Sequence, residues 1–179
     1  IYEGSPALKV ASGETTSIDN KLYIGNYVRM TLNPSTSATR YARVNGGTIM
    51  NEGTITSINA DFVGNYVMAS STKSKTTIQI YGGAIYNLET IGDITGDFVG
   101  NYVNSDKTAK GGAIGNYTNS GTLQIGNIKG NFIGNYASGE GGAIINYNYS
   151  GSTAIGDITG DFVGNYSGNY AGAIENYTY

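Results

Sequence analysis

One five-residue phrase recurs five times in this chain of 179 residues and limits what the chain can fold into more than any other feature. Each copy reads aromatic, branched aliphatic, Gly, Asn, Tyr, at residues 23–27, 62–66, 98–102, 132–136 and 162–166. Between the copies runs a second phrase, Gly-Gly-Ala-Ile-x-Asn, which opens at Gly46 (as GGTIMN), Gly82, Gly111, Gly141 and Ala171 (as AGAIEN). A unit of about 30 residues cannot bury an apolar face alone and has to stack on its copies. The chain therefore reads as one elongated repeat domain, with units at about 1–45, 46–81, 82–110, 111–140, 141–170 and a partial unit at 171–179.

The spacing shows where the units differ. From the Tyr that closes the first phrase to the residue that opens the second, the gaps 28–45, 67–81, 103–110, 137–140 and 167–170 hold 18, 15, 8, 4 and 4 residues. Insertions confined to one corner leave the ladders of a solenoid intact. Within a unit the Ile, Val, Phe, Tyr and Thr runs are short and broken by Gly, which excludes helices of ordinary length. In the third copy they predict strands over 84–87, 90–94 and 97–102. Three short strands per turn, each pairing with its counterpart one unit on, make an all-β parallel β-helix; five coils at a strand spacing of ~4.8 Å would stand about 24 Å tall.

In that setting the phrases acquire roles. Phe62, Phe98, Phe132 and Phe162 are expected to stack inside, one per coil. Asn65, Asn101, Asn135 and Asn165, with a second series at Asn51, Asn87, Asn116, Asn146 and Asn176, are expected to form amide ladders at the corners, the Asn itself in the left-handed conformation. The Gly before each Asn is expected to supply a bend.

Composition excludes several function classes. Charged residues are 13% of the chain against a typical ~25%. The formal charge of −3 gives no global attraction to nucleic acid. There is no Cys and no His, so thiolate and imidazole chemistry is unavailable. No run of 18 apolar residues exists, so this segment inserts no helix into a membrane.

The alternation of FVGN with GGAI (62–85, 98–114), FIGN with GGAI (132–144) and FVGN with AGAI (162–174) resembles the repeat of chlamydial polymorphic outer membrane proteins and related autotransporter passengers. The resemblance covers about residues 23–179, lacks the C-terminal membrane barrel and the Cys often found in that family, and implies a right-handed parallel β-helix, secreted and displayed on a bacterial cell surface, often adhesive.

Candidate chemistry is sparse. Gly-Asp steps at 92–93, 96–97, 156–157 and 160–161 read as turns; the stacked oxygens of Asp93, Asn127 and Asp157, and of Asp61, Asp97, Asn131 and Asp161, invite weak calcium binding but lack the calcium-solenoid pattern. No cofactor is implied. The acidic residues lie mostly in repeated turns, where a unique catalytic pair would break the repeat, so an enzyme is disfavoured. Arg29, Arg40, Arg43, Lys73, Lys75, Lys107 and Lys110 all fall in the first three insertions; stacked on one edge they would form a basic strip for anionic glycans, a host surface or a neighbour's acidic corner. Outward Tyr ladders could stack on sugars or simply seal the corners. Of the sequons at Asn116, Asn148, Asn165 and Asn176, Asn148 is expected to be the freest. Finally, the chain is expected to begin without a first strand and to end with only one. Such complementary ends would let copies add head to tail into a filament. The expectation is a structural or adhesive surface protein, with a carbohydrate-binding module as the alternative.

Overall fold

Successive units stack in parallel and in register, so residue i of one coil sits on its equivalent in the next. The computed structural model describes residues 2–32, 40–72 and 76–178. The fold is a parallel β-solenoid whose first face carries Leu8–Val10, Ile49–Asn51, Ile85–Asn87, Ile114–Thr118, Ile144–Asn148 and Ile174–Thr178. The second face starts with Thr15–Ile24 and Thr54–Val63; in the third coil the same path is divided into Thr90–Thr95 and Phe98–Val99. The third face carries Tyr27–Leu32, Tyr66–Ser71, Tyr102–Ser105, Tyr136–Ala137 and Tyr166–Ser167.

The three-faced coil stands, with shifted boundaries. The stretch 97–102, expected as one strand, divides at Gly100: Phe98–Val99 extends the second face and Tyr102 opens the third. Gly92 and Asp93, expected in a turn, lie inside Thr90–Thr95.

Strand alternation turns Ile49, Ile85, Ile114, Ile144, Phe62, Phe98 and Phe132 into one core. The phenyl rings of Phe62, Phe98, Phe132 and Phe162 stack at 4.9, 4.8 and 4.8 Å between centroids with planes within 8° of parallel. Tyr23 continues the column at 5.3 Å.

The corner between the second and third faces works differently from expectation. Gly64, Gly100, Gly134 and Gly164 take φ of +61° and Gly25 +62°, whereas no Asn of either phrase has positive φ. Glycine bears the left-handed turn because Cβ would strain it, which frees the next Asn to point inward. Asn65, Asn101 and Asn135 are buried. Their Nδ2 atoms donate to the Oδ1 of the next Asn at 2.9, 3.1 and 2.9 Å. The same oxygens each accept the preceding Asn backbone N–H at 3.0 Å. Nδ2 of Asn101, Asn135 and Asn165 also donates to the carbonyls of Phe62, Phe98 and Phe132. The side chain at this position must donate and accept at once, a pairing the short primary amide supplies and a carboxylate does not. The second ladder runs Asn51, Asn87, Asn116, Asn146, Asn176 with Nδ2 to Oδ1 distances of 2.8, 2.9, 2.7 and 2.8 Å.

Two further departures change the outline. The early insertions fold. Arg40–Asn45, Thr76–Tyr81 and Thr108–Lys110 form a fourth parallel sheet, which faces the third across a separate core of Val28, Val67, Val103, Val44, Ile78 and Ile80. The result is a flange that tapers, its third-face strands shrinking through 6, 6, 4, 2 and 2 residues. The N-terminal coil also differs from expectation. Leu8–Val10 occupies the first-strand place expected to be missing, paired with Ile49–Asn51. Tyr2–Gly4 then runs antiparallel against Tyr27–Leu32 and covers the edge of the third face. Thr15–Ile24 carries register irregularities at Thr16/Ile18 and Ile18/Lys21, with Asn20 at φ +51°, and exposes Asp19 and Lys21. Bulges and charges of this kind blunt an edge against further pairing. In the last coil Ile155, Ile158 and Phe162 are partly buried, and Ile174–Thr178 pairs with Ile144–Asn148 one rung beyond the other faces.

Candidate functional site: the elbow between flange and solenoid

The flange folds back so that the outer side of its fourth sheet meets the outer side of the first face. The position before each second phrase (Asn45, Tyr81, Lys110, Glu140) lines one wall, in register from rung to rung. The variable x of Gly-Gly-Ala-Ile-x-Asn (Met50, Tyr86, Gly115, Ile145, Glu175) lines the other. The repeat therefore places its non-repeated residues in one elbow.

At its inner end the elbow is plugged. Tyr81 stacks on Tyr86 at 5.4 Å and on Tyr117 at 4.1 Å. Gly115 makes room for it: a Cβ there would lie 3.0 Å from Tyr81 Cβ and 2.9 Å from Gly82 N. Burial pushes both the Tyr81 and the Tyr86 phenols well above the ordinary range, so both stay neutral.

Toward the C-terminal end the elbow opens into a cleft of about 520 Å³ lined by Lys110, Glu140, Tyr147, Tyr170, Glu175 and Tyr177. Lys110 forms an ion pair with Glu140, the two side chains 14% and 22% exposed. The Lys110 ammonium also lies 5.7 and 4.9 Å from the ring centroids of Tyr117 and Tyr147, which favours the cation. Glu175 is left over: its Oε2 is out of solvent and accepts no hydrogen bond. Burial, and then the charge of Glu140, raise the Glu175 pKa, with Lys110 opposing. Tyr117, Tyr147 and Tyr177 stack face to face at 4.9 and 5.4 Å. Within the stack the faces are occupied by one another, so a guest in the cleft meets mainly edges and hydroxyls.

The basic residues among those described divide between surfaces, with Arg43 and Lys110 both on the outer side of the fourth sheet. Arg29 alternates with buried Val28 and Met30 and points out of the third face. Arg43 alternates with Ala42 and buried Val44 and points out of the opposite side of the flange, where it donates to Tyr41 Oη at 3.0 Å and to Gln79 Oε1 at 3.3 Å. Arg40 opens the same strand. Lys107 sits exposed in the turn before Thr108–Lys110, and Lys110 faces the elbow. Lys73 and Lys75 lie outside the described residues.

The stacked acidic turns have a structural use. Asp93 Oδ1 accepts the Asn127 N–H at 2.8 Å, and Asp61 and Asp97 accept those of Asp97 and Asn131 at 2.8 and 2.7 Å. Among the described residues no three His, Cys, Asp or Glu side chains converge on one point. Asn148, expected to be the freest sequon, is buried, its Nδ2 donating to the Gly121 and Ser152 carbonyls at 2.9 and 3.0 Å.

No protein-family model, curated protein or solved structure matches the chain. The elbow was not legible in the sequence because it depends on the fold of unrepeated insertions. Its one trace is the variable x inside an otherwise fixed phrase.

Proposed function

We propose that this chain is a non-enzymatic structural and adhesive solenoid, displayed at an extracellular surface as part of a longer passenger of the autotransporter type, and that it meets its ligand in the elbow cleft. The observation that supports this reading is a division of labour. The polar side chains repeated in every rung are consumed by rung-to-rung hydrogen bonds, while the unrepeated Lys110, Glu140, Tyr170 and Glu175 gather around an open volume completed by Tyr147 and Tyr177 of a repeated column. Head-to-tail stacking of copies belongs to this reading through the first face, since Tyr2–Gly4 covers only the edge of the third.

The second reading, a discrete carbohydrate-binding module, is favoured by the cleft itself: a carboxylate lacking a donor, a Lys–Glu pair and several phenol groups are chemistry that recognises hydroxyl-rich ligands. A glycan array probed with the wild-type chain, Glu175→Gln and Lys110→Met tests both. Binding confined to a few glycans, and lost in both variants at unchanged fold, supports the cleft. Release of reducing ends from bound glycans would replace adhesion with hydrolysis. An array without any binder, together with failure of chain-coated beads to adhere to polysaccharide- or protein-coated surfaces, would remove the adhesive reading.

A further inference from the structure

One position of the five-residue phrase has no role in the fold. Phe fills the core, Gly turns the corner and Asn forms the ladder, but the branched aliphatic points outward. Ile24, Val63, Val99, Ile133 and Val163 stand in register on the outer side of the second face. Ile24, Ile133 and Val163 are 63%, 40% and 55% exposed, and Val63 and Val99 are partly exposed. Strand propensity favours Val and Ile, and the outward position two residues earlier lies within a strand at Leu22 and Asp61 and just before one at Asp97, Asn131 and Asp161. There four of the five rungs carry Asp61, Asp97, Asn131 and Asp161. Polar residues are accepted one column away and never in this one.

Around the corner lies a second outward column, Tyr27, Tyr66, Tyr102, Tyr136 and Tyr166, also in register. Between the two columns the corner glycines leave open space: a Cβ on Gly25, Gly64, Gly100, Gly134 or Gly164 would meet nothing within 4 Å. The aliphatic column, this notch and the tyrosines make an uncharged stripe along all five rungs.

We infer that this stripe is a lateral docking surface for a second copy of the chain, the two solenoids lying side by side and parallel. Two features select that occupant. A partner that repeats at the rung spacing, seen here in the 4.8 Å ring stacking, makes the same contact at every rung, and a second copy has that repeat. The stripe is also self-complementary. A twofold axis parallel to the solenoid sets the aliphatic column of each copy against the tyrosine column of the other. It also sets Asp61, Asp97 and Asp161 of one copy toward Met68, Asn104 and Gly168 in the same rungs of the other, so that no acid of this column faces another. Ten residues a side is at most half of a standard interface of roughly 20–30. Pairing is therefore weak between free molecules and strengthens where copies are held close together.

Sedimentation velocity from about ten micromolar to about one millimolar tests this, using the wild type and the triple variant Val63→Lys, Val99→Lys, Ile133→Lys. These side chains point outward, so circular dichroism and Tm should be retained; single-site Val99→Lys serves if the triple variant fails to fold. The expected result is a sedimentation coefficient that rises with concentration for the wild type and stays flat for the variant, with Glu175→Gln behaving as wild type. A wild type that remains monomeric throughout, or association that survives the lysines, overturns the inference. So does a monomeric wild type whose retention on an insoluble polysaccharide falls in the lysine variant, since a polymer would then be the occupant.

Discussion

Asn101 carries more of the fold than its size suggests. Its Oδ1 accepts two hydrogens from Asn65 and its Nδ2 serves both Asn135 and the Phe62 carbonyl, all out of solvent. Asn101→Ala leaves several buried groups unpaired at about 1–3 kcal/mol each, so a loss of about 3 kcal/mol or more is expected in urea unfolding. Asn26→Ala, on the first rung, should cost only about 1 kcal/mol. Equal costs would mean that the ladder does not act as a network. Glycine makes a similar contrast. Gly100→Ala meets open space but must hold φ +61°, at about 1–2 kcal/mol. Gly115→Ala has an ordinary backbone and instead collides with Tyr81, so near-ultraviolet dichroism of the tyrosine plug should change.

Glu175 gives a pH signature. Because its folded pKa is raised by burial and by Glu140, the native state holds the proton more tightly than the unfolded chain, whose ordinary value is 4.5. Its contribution to stability is therefore lost as pH rises from that value through the raised one. Glu175→Gln should melt above the wild type at pH 7, and the advantage should vanish well below 4.5. An advantage independent of pH would point to packing instead of ionisation.

At the scale of elements, the flange and the N-terminal strand are separable tests. Ile78 lies in the flange core, so Ile78→Ala should cost about 2–5 kcal/mol. Hydrogen exchange should rise in Arg40–Asn45 and Thr76–Tyr81 while the coils keep their protection. Removing residues 1–4 uncovers Tyr27–Leu32, and aggregation should accelerate with concentration, as uncovered edges do. These are also the elements that the sequence did not reveal. Phe98 and Asn101 were legible because a role repeated in every rung leaves the same residue in every rung. Thr76–Tyr81 and Tyr2–Gly4 occur in no second copy, so periodicity says nothing of them, although the alternating Ile78 and Ile80 are compatible with a strand. Reading the corner Asn as left-handed failed for another reason. Asn tolerates that conformation, but a neighbouring Gly takes it at lower cost, and the amide is then free for the core. The elbow was hidden twice over, since it needs the flange to form and then to fold back on the first face.

For the whole molecule, nearest-neighbour contact between rungs means that stability accumulates coil by coil. Protection against hydrogen exchange should be highest in the second to fourth coils, which have a rung on both sides, and lower in Gly151–Ile155 and Ile174–Thr178, which have one. Uniform protection would indicate a single cooperative unit. The amide ladders have one more consequence, which is mechanical. Their hydrogen bonds point along the solenoid axis, so tension applied between the two ends loads one rung at a time, as a zipper is opened. Each released coil of about 30 residues adds roughly 100 Å of contour length, and the two longest coils, with their insertions, add more. Force spectroscopy should record a train of small, even steps that widen when the first two coils open. Under load such a molecule lengthens by instalments and dissipates energy at every step before it fails.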